Sequence, residues 1–209
     1  MHRIIRKLFR FKWNGIIGVW KKNVLLDDSS YSNFKFVING ENNTIQIGHD
    51  SIIDSGIVKI LGSNHKLIIG KRCRIKQVEF WFEDSFNTII IDDDTTIESA
   101  KFAVVESNLT IQLGKDCMLS ESIYFRTSDS HSIVDLKTNK RINYGKSICI
   151  GNHVWIGANV TVLKGVRAED NCIIGANSLV THNVESNTIV AGTPAKKVNE
   201  NVNWDRKRI

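Results

Sequence analysis

The sequence predicts an all-β protein, a parallel β-helix of about six coils, and two repeating patterns support this prediction. Between residues 150 and 185 an aliphatic residue, or once Ala168, opens each group of six. The fifth place of each group holds only small or β-branched residues, namely Val154, Val160, Val166, Cys172, Ser178 and Val184. An inward side chain at every sixth residue indicates short strands that meet at corners, three strands to a coil. Residues eighteen apart, such as Ile156 and Ile174, are therefore expected to stack one rung apart, at about 4.8 Å.

A second pattern, with a step of 22 residues, extends the same core toward the N-terminus. The apolar residues that recur at this step are Ile47, Ile69, Ile91 and Leu113. The small residues that keep the same step are Ser51, Cys73, Thr95 and Cys117. Each of these coils has four more residues than the later ones, which predicts a wider corner on every turn of one continuous core.

An insertion interrupts the pattern after Leu113. The step from Leu113 to Ile150 is 37 residues, which is one coil of 22 residues and 15 more. The insertion lies within residues 126–146, a polar segment without a repeat of its own. Long loops on a rigid scaffold often carry function, so this segment is predicted to contribute to a site.

The chain divides into three regions. Residues 1–33 are interpreted as a basic amphipathic helix and a link, because the apolar residues between positions 3 and 20 follow helical spacing. Residues 34–187 form the β-helix with its insertion, and residues 188–209 form a C-terminal loop and tail. The N-terminal helix is predicted to cap the open end of the β-helix or to lie on an anionic membrane surface, and both alternatives stay open.

The composition excludes several classes of function. The net charge is +6, but residues 1–22 hold seven Arg and Lys and no acidic residue, so the remainder is close to neutral. Because the body has no basic stripe for a phosphate backbone, we expect no nucleic acid partner. The chain has no run of eighteen apolar residues and no secretion signal, which predicts a cytoplasmic protein with residues 1–22 as a candidate peripheral contact to the inner membrane face. Three of the four cysteines occupy core positions of the repeat, so no disulfide framework is predicted.

Three motifs are typical of a known family: VWIG in the repeat, the closing AGTPAKK, and SDSHSIVD in the insertion. Together with the repeats of six, they resemble the hexapeptide-repeat acyltransferases, which have a left-handed β-helix. The chain is most similar to the O-acetyltransferases of capsular polysaccharide, including polysialic acid, and most closely over residues 128–198. The resemblance implies left-handed coiling, a homotrimer, a saccharide or polysaccharide acceptor, and acetyl-CoA bound in a groove between neighbouring subunits.

His131 lies in the insertion between Asp129 and Asp135, where neither core packing nor repeat register requires a histidine. A sugar hydroxyl is a poor nucleophile at neutral pH, and an imidazole can take its proton as it attacks a thioester carbonyl. The resemblance implies that His131 is this general base. One of the two aspartates could fix its tautomer, and the sequence leaves open which one. The alternative is a solvated loop histidine.

Trp155 takes the sixth, outward place of its group, where the core needs no indole. In the family this Trp lies beside the thioester, where it would offer an N–H donor or a flat wall for the acetyl group. The alternative is a surface Trp packed between subunits.

The resemblance also implies a set of coenzyme-binding residues: Gly157, Ala158, Ala176, Thr181, His182, Lys196 and Lys197. The small residues among them would let the pantetheine arm reach backbone groups. Thr181 and Lys196 match positions near the nucleotide and its phosphates, and Lys197 is adjacent. Two positions depart from the family pattern, since His182 stands where many relatives have Lys and Lys164 where many have Pro.

We therefore expect an acetyl-CoA-dependent O-acetyltransferase that acts on a sugar hydroxyl of a bacterial capsular or surface polysaccharide, one that could contain sialic acid. One alternative is an N-acetyltransferase acting on a nucleotide amino sugar. Another is a non-enzymatic β-helical scaffold, which predicts no coenzyme binding. The other histidines do not match the three-histidine pattern of the β-helical carbonic anhydrases, so no catalytic metal is predicted.

Overall fold

A computed structural model of the chain describes residues 16–18, 22–27 and 30–209, and every regular element among them is a β-strand. Three strands make one coil, and equivalent strands of successive coils pair in parallel to form three sheets, here called A, B and C. The inward side chains of the three sheets fill one continuous core. The predicted all-β parallel β-helix is confirmed, with about seven coils rather than six.

The strands are numbered in chain order. Sheet A contains β1 (Ile16–Gly18), β4 (Phe34–Asn39), β7 (Gly56–Leu61), β10 (Val78–Phe82), β13 (Ala100–Val104), β16 (Ile123–Arg126), β19 (Thr161–Leu163) and β22 (Leu179–Val180). Sheet B contains β2 (Val24–Asp27), β5 (Thr44–Ile47), β8 (Lys66–Ile69), β11 (Thr88–Ile91), β14 (Thr110–Leu113), β17 (Ile148–Ile150) and β20 (Arg167–Ala168). Sheet C contains β3 (Ser30–Tyr31), β6 (Ile52–Ile53), β9 (Arg74–Ile75), β12 (Thr96–Ile97), β15 (Met118–Leu119), β18 (Trp155–Ile156), β21 (Ile173–Ile174), β23 (Thr188–Gly192) and β24 (Ala195–Glu200).

The strand register confirms both repeats. Ile47, Ile69, Ile91 and Leu113 pair in succession across sheet B, at the step of 22 residues. Leu113 then pairs with Ile150, so the chain between them adds an insertion without moving the register. Ile156 pairs with Ile174, at the step of eighteen. The fifth-place residues Val154, Val160 and Cys172 are fully buried.

The predicted wider corner lies where sheet A turns to sheet B. The chain passes from β10 to β11 through residues 83–87, whereas the later turn from β19 to β20 uses only residues 164–166. Buried Asn and His side chains accept hydrogen bonds from the backbone at this corner. Asn43 Oδ1 accepts from the N–H of His65 at 2.9 Å, His65 Nδ1 from the N–H of Asn87 at 3.2 Å, and Asn87 Oδ1 from the N–H of Leu109 at 2.9 Å. The insertion leaves the same corner two coils after β10, between β16 and β17.

The core positions of Cys73, Cys117 and Cys172 are confirmed, since all three thiols are buried. Burial raises the pKa of Cys73 to about 11 and those of Cys117 and Cys172 to about 12. The thiols therefore stay protonated and behave as small apolar groups.

The N-terminal boundary of the β-helix was predicted too late. Ile16–Gly18 form strand β1, parallel to Phe36–Ile38, and β2 and β3 pair with β5 and β6. The helix predicted over residues 3–20 is therefore wrong at Ile16–Gly18, and its other residues lie outside the described ones. Ile16 pairs with Phe36, a step of twenty residues, so this coil does not keep the step of 22 that marks the next coils. Among the described residues there is no helix long and apolar enough to span a bilayer.

The C-terminal segment continues sheet C before it returns along the molecule. Strand β23 pairs in parallel with β21, and β24 then folds back antiparallel onto β23. Beyond β24 the tail reaches back to the coil of β18, where Trp204 is buried against His153. The tail thus covers part of the outer face of sheet C.

Candidate active site

Glu106 anchors the base of the inserted loop, residues 127–147. Its carboxylate forms an ion pair with Arg141 and accepts hydrogen bonds from Ser128 Oγ at 2.5 Å and the N–H of Gly145 at 3.1 Å. Burial alone would raise the pKa of Glu106, but the hydrogen bonds from Arg141, Ser128 and Gly145 outweigh it and hold the pKa at about 2. Glu106 therefore stays ionised and joins the two ends of the loop.

Asn143 fixes the backbone around His131. Its side-chain Nδ2 donates to the carbonyl of His131 at 2.8 Å and to Asp129 Oδ2 at 2.7 Å, and its Oδ1 accepts from the N–H of Ile133 at 2.7 Å. The side chain of Asn143 is buried, so these bonds are shielded from water. The segment that carries His131 is thereby held on both sides of the histidine.

Lys164 reaches the same cluster from the end of β19. Its ammonium group forms an ion pair with Asp129 and donates to the carbonyl of Asn143 at 2.9 Å. The hydrogen bonds from Lys164 and Asn143 lower the pKa of Asp129. Lys164 thus ties the loop to the β-helix in this chain.

His131 presents its ring to solvent at this fixed point of the loop. The residue is exposed, and within the described part of the chain its ring makes no hydrogen bond. Asp129 is engaged by Lys164 and Asn143. Asp135 Oδ1 accepts from the N–H of Lys137 at 3.0 Å and from the N–H of Thr138 at 2.7 Å, and the bonds from Thr138 lower its pKa. Neither carboxylate holds the imidazole here, and the orienting role stays a prediction.

Trp155 lies at the start of β18, with its side chain outward on sheet C and 39% exposed. The indole of Trp204 packs beside it, with ring centroids 6.2 Å apart and planes tilted by 50°. The inserted loop leaves the corner between sheets A and B, whereas Trp155 follows the next corner, between sheets B and C. In the ranges that the structure describes, no hydrogen bond or ring contact joins His131 to Trp155.

The small residues predicted to bind coenzyme stack at the corner between sheets C and A. Ala158 accepts a hydrogen bond through its carbonyl from the N–H of Asn177 at 2.8 Å, next to Ala176. A Cβ added to Gly157 would lie 2.7 Å from the backbone nitrogen of Ala176, so the two coils approach too closely there for any side chain. Ala176 is exposed. This corner, here called the ridge of small residues and formed by Gly157, Ala158 and Ala176, therefore presents small side chains to a ligand.

Three of the residues predicted to bind coenzyme lie along a groove of about 460 Å³ near the C-terminus, and Thr181 is not among those that line it. His182, Lys196 and Lys197 line it together with apolar side chains that include Val190 and Pro194. Lys197 forms ion pairs with Glu200 at 2.9 Å and Glu185 at 3.1 Å, and these raise its pKa. An apolar floor with basic groups at its rim fits a nucleotide and its phosphates.

The turn at residues 192–194 connects the groove to the ridge of small residues. Thr193 Oγ1 donates to the carbonyl of Asn177 at 3.2 Å, and Pro194 lines the groove. Thr181 directly precedes His182 in the chain, and its Oγ1 lies 2.8 Å from His182 Nδ1. The structure thus brings Ala176, Thr181, His182 and the two lysines to one region of the surface, while His131 lies on the inserted loop.

The remaining histidines that the structure describes have separate environments. His49 lies against Asp50, with its Nδ1 at 2.8 Å from Oδ2. His65 is buried in the core, and burial lowers its pKa. His153 lies between Asp116 and Trp204. Across the described ranges, no three His, Cys, Asp or Glu side chains are grouped as metal ligands.

Sequence reasoning did not identify several residues that build the site: Glu106, Arg141, Asn143 and Trp204. Lys164 appeared only as a departure from the family pattern. Glu106 and Arg141 are 35 residues apart, and nothing in either repeat relates them. The sequence shows Asn143 as a polar residue two positions after Arg141 in the insertion, and nothing in it indicates the partners of this side chain.

The comparisons with known proteins agree with this fold. The family model described as "Bacterial transferase hexapeptide (six repeats)" matches residues 150–182. "Polysialic acid O-acetyltransferase" of Neisseria meningitidis is 35% identical over 189 residues, which is 80% of this chain and 88% of that protein. A protein of the same description from Escherichia coli O1:K1 / APEC is 36% identical over 88 residues, which is 42% of this chain and 29% of that protein. The solved structure of the polysialic acid O-acetyltransferase OatWY superposes with a TM-score of 0.86 at 33% identity, covering 93% of this chain and 92% of that one. The chain therefore belongs to the hexapeptide-repeat O-acetyltransferases, and it is an acyltransferase.

Proposed function

We propose that this protein transfers an acetyl group from acetyl-CoA to a hydroxyl of an acidic bacterial surface polysaccharide, one that contains sialic acid, with His131 as the general base. The observation that carries the proposal is the contrast at His131: the backbone is pinned by Asn143, while the ring is exposed. A base needs this combination, because it must be held in place and yet reach a substrate proton. The description of the Neisseria meningitidis relative supports the choice of acceptor.

In this mechanism the imidazole of His131 takes the proton of the sugar hydroxyl as the oxygen attacks the carbonyl carbon of the acetyl thioester. The C–S bond of the thioester then breaks, and the imidazolium returns the proton to the departing thiolate, which leaves as the free thiol of the coenzyme. Arg141 and Lys164 are ion-paired to Glu106 and Asp129 and hold the loop in place, and as cations they have no site that could accept that proton. The indole of Trp155 would form a wall of the acetyl site and offer its N–H to a developing negative charge.

Acetyl-CoA supplies an activated acetyl group as a thioester. The groove at Lys196 and Lys197 would hold its phosphates through charge-assisted hydrogen bonds. The ridge at Ala158 and Ala176 would let the pantetheine arm approach the backbone, because these side chains are small.

A homotrimer accounts for the separation of the catalytic groups. His131 lies on the loop at one corner and Trp155 lies beyond the next, with sheet B between them. The loop also exposes apolar side chains, including Ile133 at 54% and Leu136 at 99%, which favours packing against a neighbouring copy.

We propose a cytoplasmic location for this trimer.

Mixed trimers test this assembly. Chains carrying His131→Ala and chains damaged by Ala176→Trp would each be inactive alone. If neighbours share sites, mixed trimers that are verified by mass should regain part of the activity. A complete lack of recovery in such mixtures would argue that each chain holds a self-contained site.

The proposal as a whole is tested with His131→Ala. We expect the release of thiol from acetyl-CoA, measured with sialylated and neutral glycans, to fall by roughly 10²- to 10⁴-fold. Because His131 is exposed, the free energy of unfolding should stay within about 0.5 kcal/mol of the wild type. Ser132→Ala, at the neighbouring exposed position, is the matched control. Near-normal turnover of His131→Ala would remove the histidine from the mechanism.

The nature of the product separates the alternatives. An ester formed on a sugar hydroxyl is released by mild alkali, whereas an amide formed on an amino sugar survives it. A scaffold would bind no coenzyme, so an absence of acetyl-CoA binding by calorimetry would contradict the proposal.

A further inference from the structure

The outer face of sheet A carries a row of cationic and aromatic side chains outside the site described above. This row, here called the sheet A track, consists of Lys59, Trp81, Lys101, Tyr124 and Arg126 on the neighbouring strands β7, β10, β13 and β16. Trp81 pairs with Lys59, and Lys101 pairs with Tyr124, so the members lie on successive rungs and the track extends over three rung steps from β7 to β16. All five are partly exposed. Neither the core nor the His131 loop requires aromatic groups at these outward positions.

The lysines of the track lie over the aromatic rings. Lys59 Nζ is 5.0 Å and Lys101 Nζ is 4.8 Å from the centroid of the Trp81 ring, and Lys101 Nζ is also 6.0 Å from that of Tyr124. Such contacts hold a cation beside a flat apolar surface. Glu79 is shared by both lysines, at 3.0 Å from Lys59 and 3.5 Å from Lys101. Trp81 Nε1 also donates to Glu83 Oε1 at 2.9 Å. With Arg126, the track therefore brings three cations beside two carboxylates and keeps a surplus of one positive charge.

Arg126 connects the track to the catalytic loop. Its guanidinium donates to Tyr124 Oη at 2.5 Å, to the carbonyl of Ser128 at 2.6 Å and to Ser130 Oγ at 2.6 Å. Ser130 directly precedes His131 in the chain. A molecule lying along the track would therefore end beside the proposed base.

A groove with a volume of about 550 Å³ runs along the edge of the same face. It is lined by Lys101, Tyr124 and the polar residues Gln77, Ser99 and Ser122, among others. These side chains supply both donors and acceptors for hydroxyl groups. The coenzyme groove lies at β22 to β24, on the other side of the loop along the β-helix axis. An acceptor on the track would thus reach His131 from one side of the loop, and the coenzyme would reach it from the other.

We infer that the sheet A track binds the acceptor as an extended acidic polysaccharide chain, with sugar carboxylates on Lys59, Lys101 and Arg126 and sugar rings against Trp81 and Tyr124. This inference rests on the proposed function, because it supplies the acceptor site of that reaction. Charge complementarity of this kind raises the rate of encounter and weakens as salt screens the charges. Several sugar units would bind at once, so a polymer should bind more tightly than a single sialic acid.

The test measures binding of polysialic acid to the intact protein by surface plasmon resonance, with neutral dextran as the reference glycan. We expect Trp81→Ala and Lys101→Gln each to raise the Kd for polysialic acid at least tenfold, and binding to weaken as salt rises. Phe86→Ala removes another exposed aromatic ring, and Lys76→Gln removes a lysine paired with Glu98 off this face; both should bind as the wild type does. His131→Ala should also retain binding, which separates the track from catalysis.

The outcomes separate the track from the proposed function. Wild-type binding by the track variants, in a protein that acetylates polysialic acid, would overturn the track and leave the proposed function intact. Track-dependent binding in a protein that transfers no acetyl group would support the track and overturn the proposed function. Light scattering of the same variants supplies a second readout: a lost trimer would identify this face as a subunit interface and overturn the inference.

Discussion

The imidazole of His153 stacks on the indole of Trp204, with ring centroids 4.1 Å apart and planes 6° apart. Two hydrogen bonds lock the pair, from Trp204 Nε1 to the carbonyl of His153 at 2.8 Å and between His153 Nε2 and the carbonyl of Trp204 at 3.0 Å. Arg206 secures the tail further through Asp116 Oδ1 at 2.9 Å. Because Trp204 also packs beside Trp155, the C-terminal tail supports the indole assigned to the acetyl site.

Removal of this support should affect turnover as well as stability. Trp204→Ala deletes a buried ring, and we expect a loss of about 1–3 kcal/mol in the free energy of unfolding. Turnover should fall by up to roughly 10²-fold, because a small displacement of a positioned group is costly in rate. Trp204→Phe keeps a stacking ring but not the indole hydrogen bond, and it should restore most of the activity. If Trp204→Ala lost stability and kept full turnover at a temperature where it is folded, the tail would have only a structural role.

The ion pair between Lys164 and Asp129 provides a test of loop positioning. Lys164→Ala removes the link between the loop and β19, and we expect kcat to fall by roughly 10-fold to 10²-fold while the KM for acetyl-CoA stays unchanged. Lys140→Ala, at an exposed position in the same loop, is the matched control. Steady-state kinetics over a series of coenzyme concentrations separate the two constants. An increase of KM alone would assign Lys164 to coenzyme binding instead.

The lowered pKa of Glu106 predicts how the stability of the folded protein depends on pH. Its folded pKa of about 2 lies below the ordinary value of 4.5, so its ionised form stabilises the folded state fully above pH 4.5. This contribution is lost as the pH falls from 4.5 toward 2. Glu106→Gln should therefore cost about 1–3 kcal/mol at pH 7 and progressively less at lower pH. Urea unfolding at pH 7, 5 and 3 measures the difference between the two proteins.

Glu121→Gln is the control for this series, since Glu121 is exposed and its carboxylate has no partner among the described side chains. It should shift the unfolding free energy by less than about 0.5 kcal/mol at every pH. A difference between the wild type and Glu106→Gln that stayed constant from pH 7 to pH 3 would contradict the assignment of Glu106 as the ionised anchor of the loop.

The repeats predicted the core because each coil imposes the same constraint on its residues. The pairing of Ile69 with Ile91 requires an inward aliphatic side chain at a constant step, and such a constraint is readable from one sequence. His131 and Trp155 stand where neither the core nor the register calls for them, and the resemblance to the family then indicated a role for each. The partners of the loop could not be read in this way. Glu106 and Arg141 meet only because the corner of one coil lies beneath the insertion of the next, and no periodicity encodes that contact.

The first coil shows a different limit of sequence reasoning. Ile16 and Ile17 fit a helical stripe as well as a strand, and short apolar segments do not distinguish the two. The step from Ile16 to Phe36 is twenty residues and not 22, so the repeat did not indicate that Ile16 belongs to a strand. The observed pairing of β1 with β4 resolves the choice for Ile16–Gly18 alone.

Deletion of residues 1–22 tests what the N-terminal segment does. It removes β1, which pairs with Phe36–Ile38 on β4, and all seven basic residues of the segment. If the segment caps the β-helix, the truncated protein should aggregate or melt at a lower temperature, because an open coil exposes unpaired backbone groups. We expect this result. Deletion of residues 1–15 is the matched control, since it leaves β1 in the chain and removes only what precedes it.

The membrane hypothesis makes the opposite prediction for the same deletion. The truncated protein should stay folded, active and trimeric, but should no longer sediment with vesicles of anionic lipid at low salt. Each basic residue near such a surface contributes about 1 kcal/mol, so seven of them would give measurable binding to the intact chain. The intact protein is therefore mixed with anionic and with neutral vesicles first. If it sediments with neither at low salt, the interfacial hypothesis is wrong, and the cap is the remaining explanation for this segment.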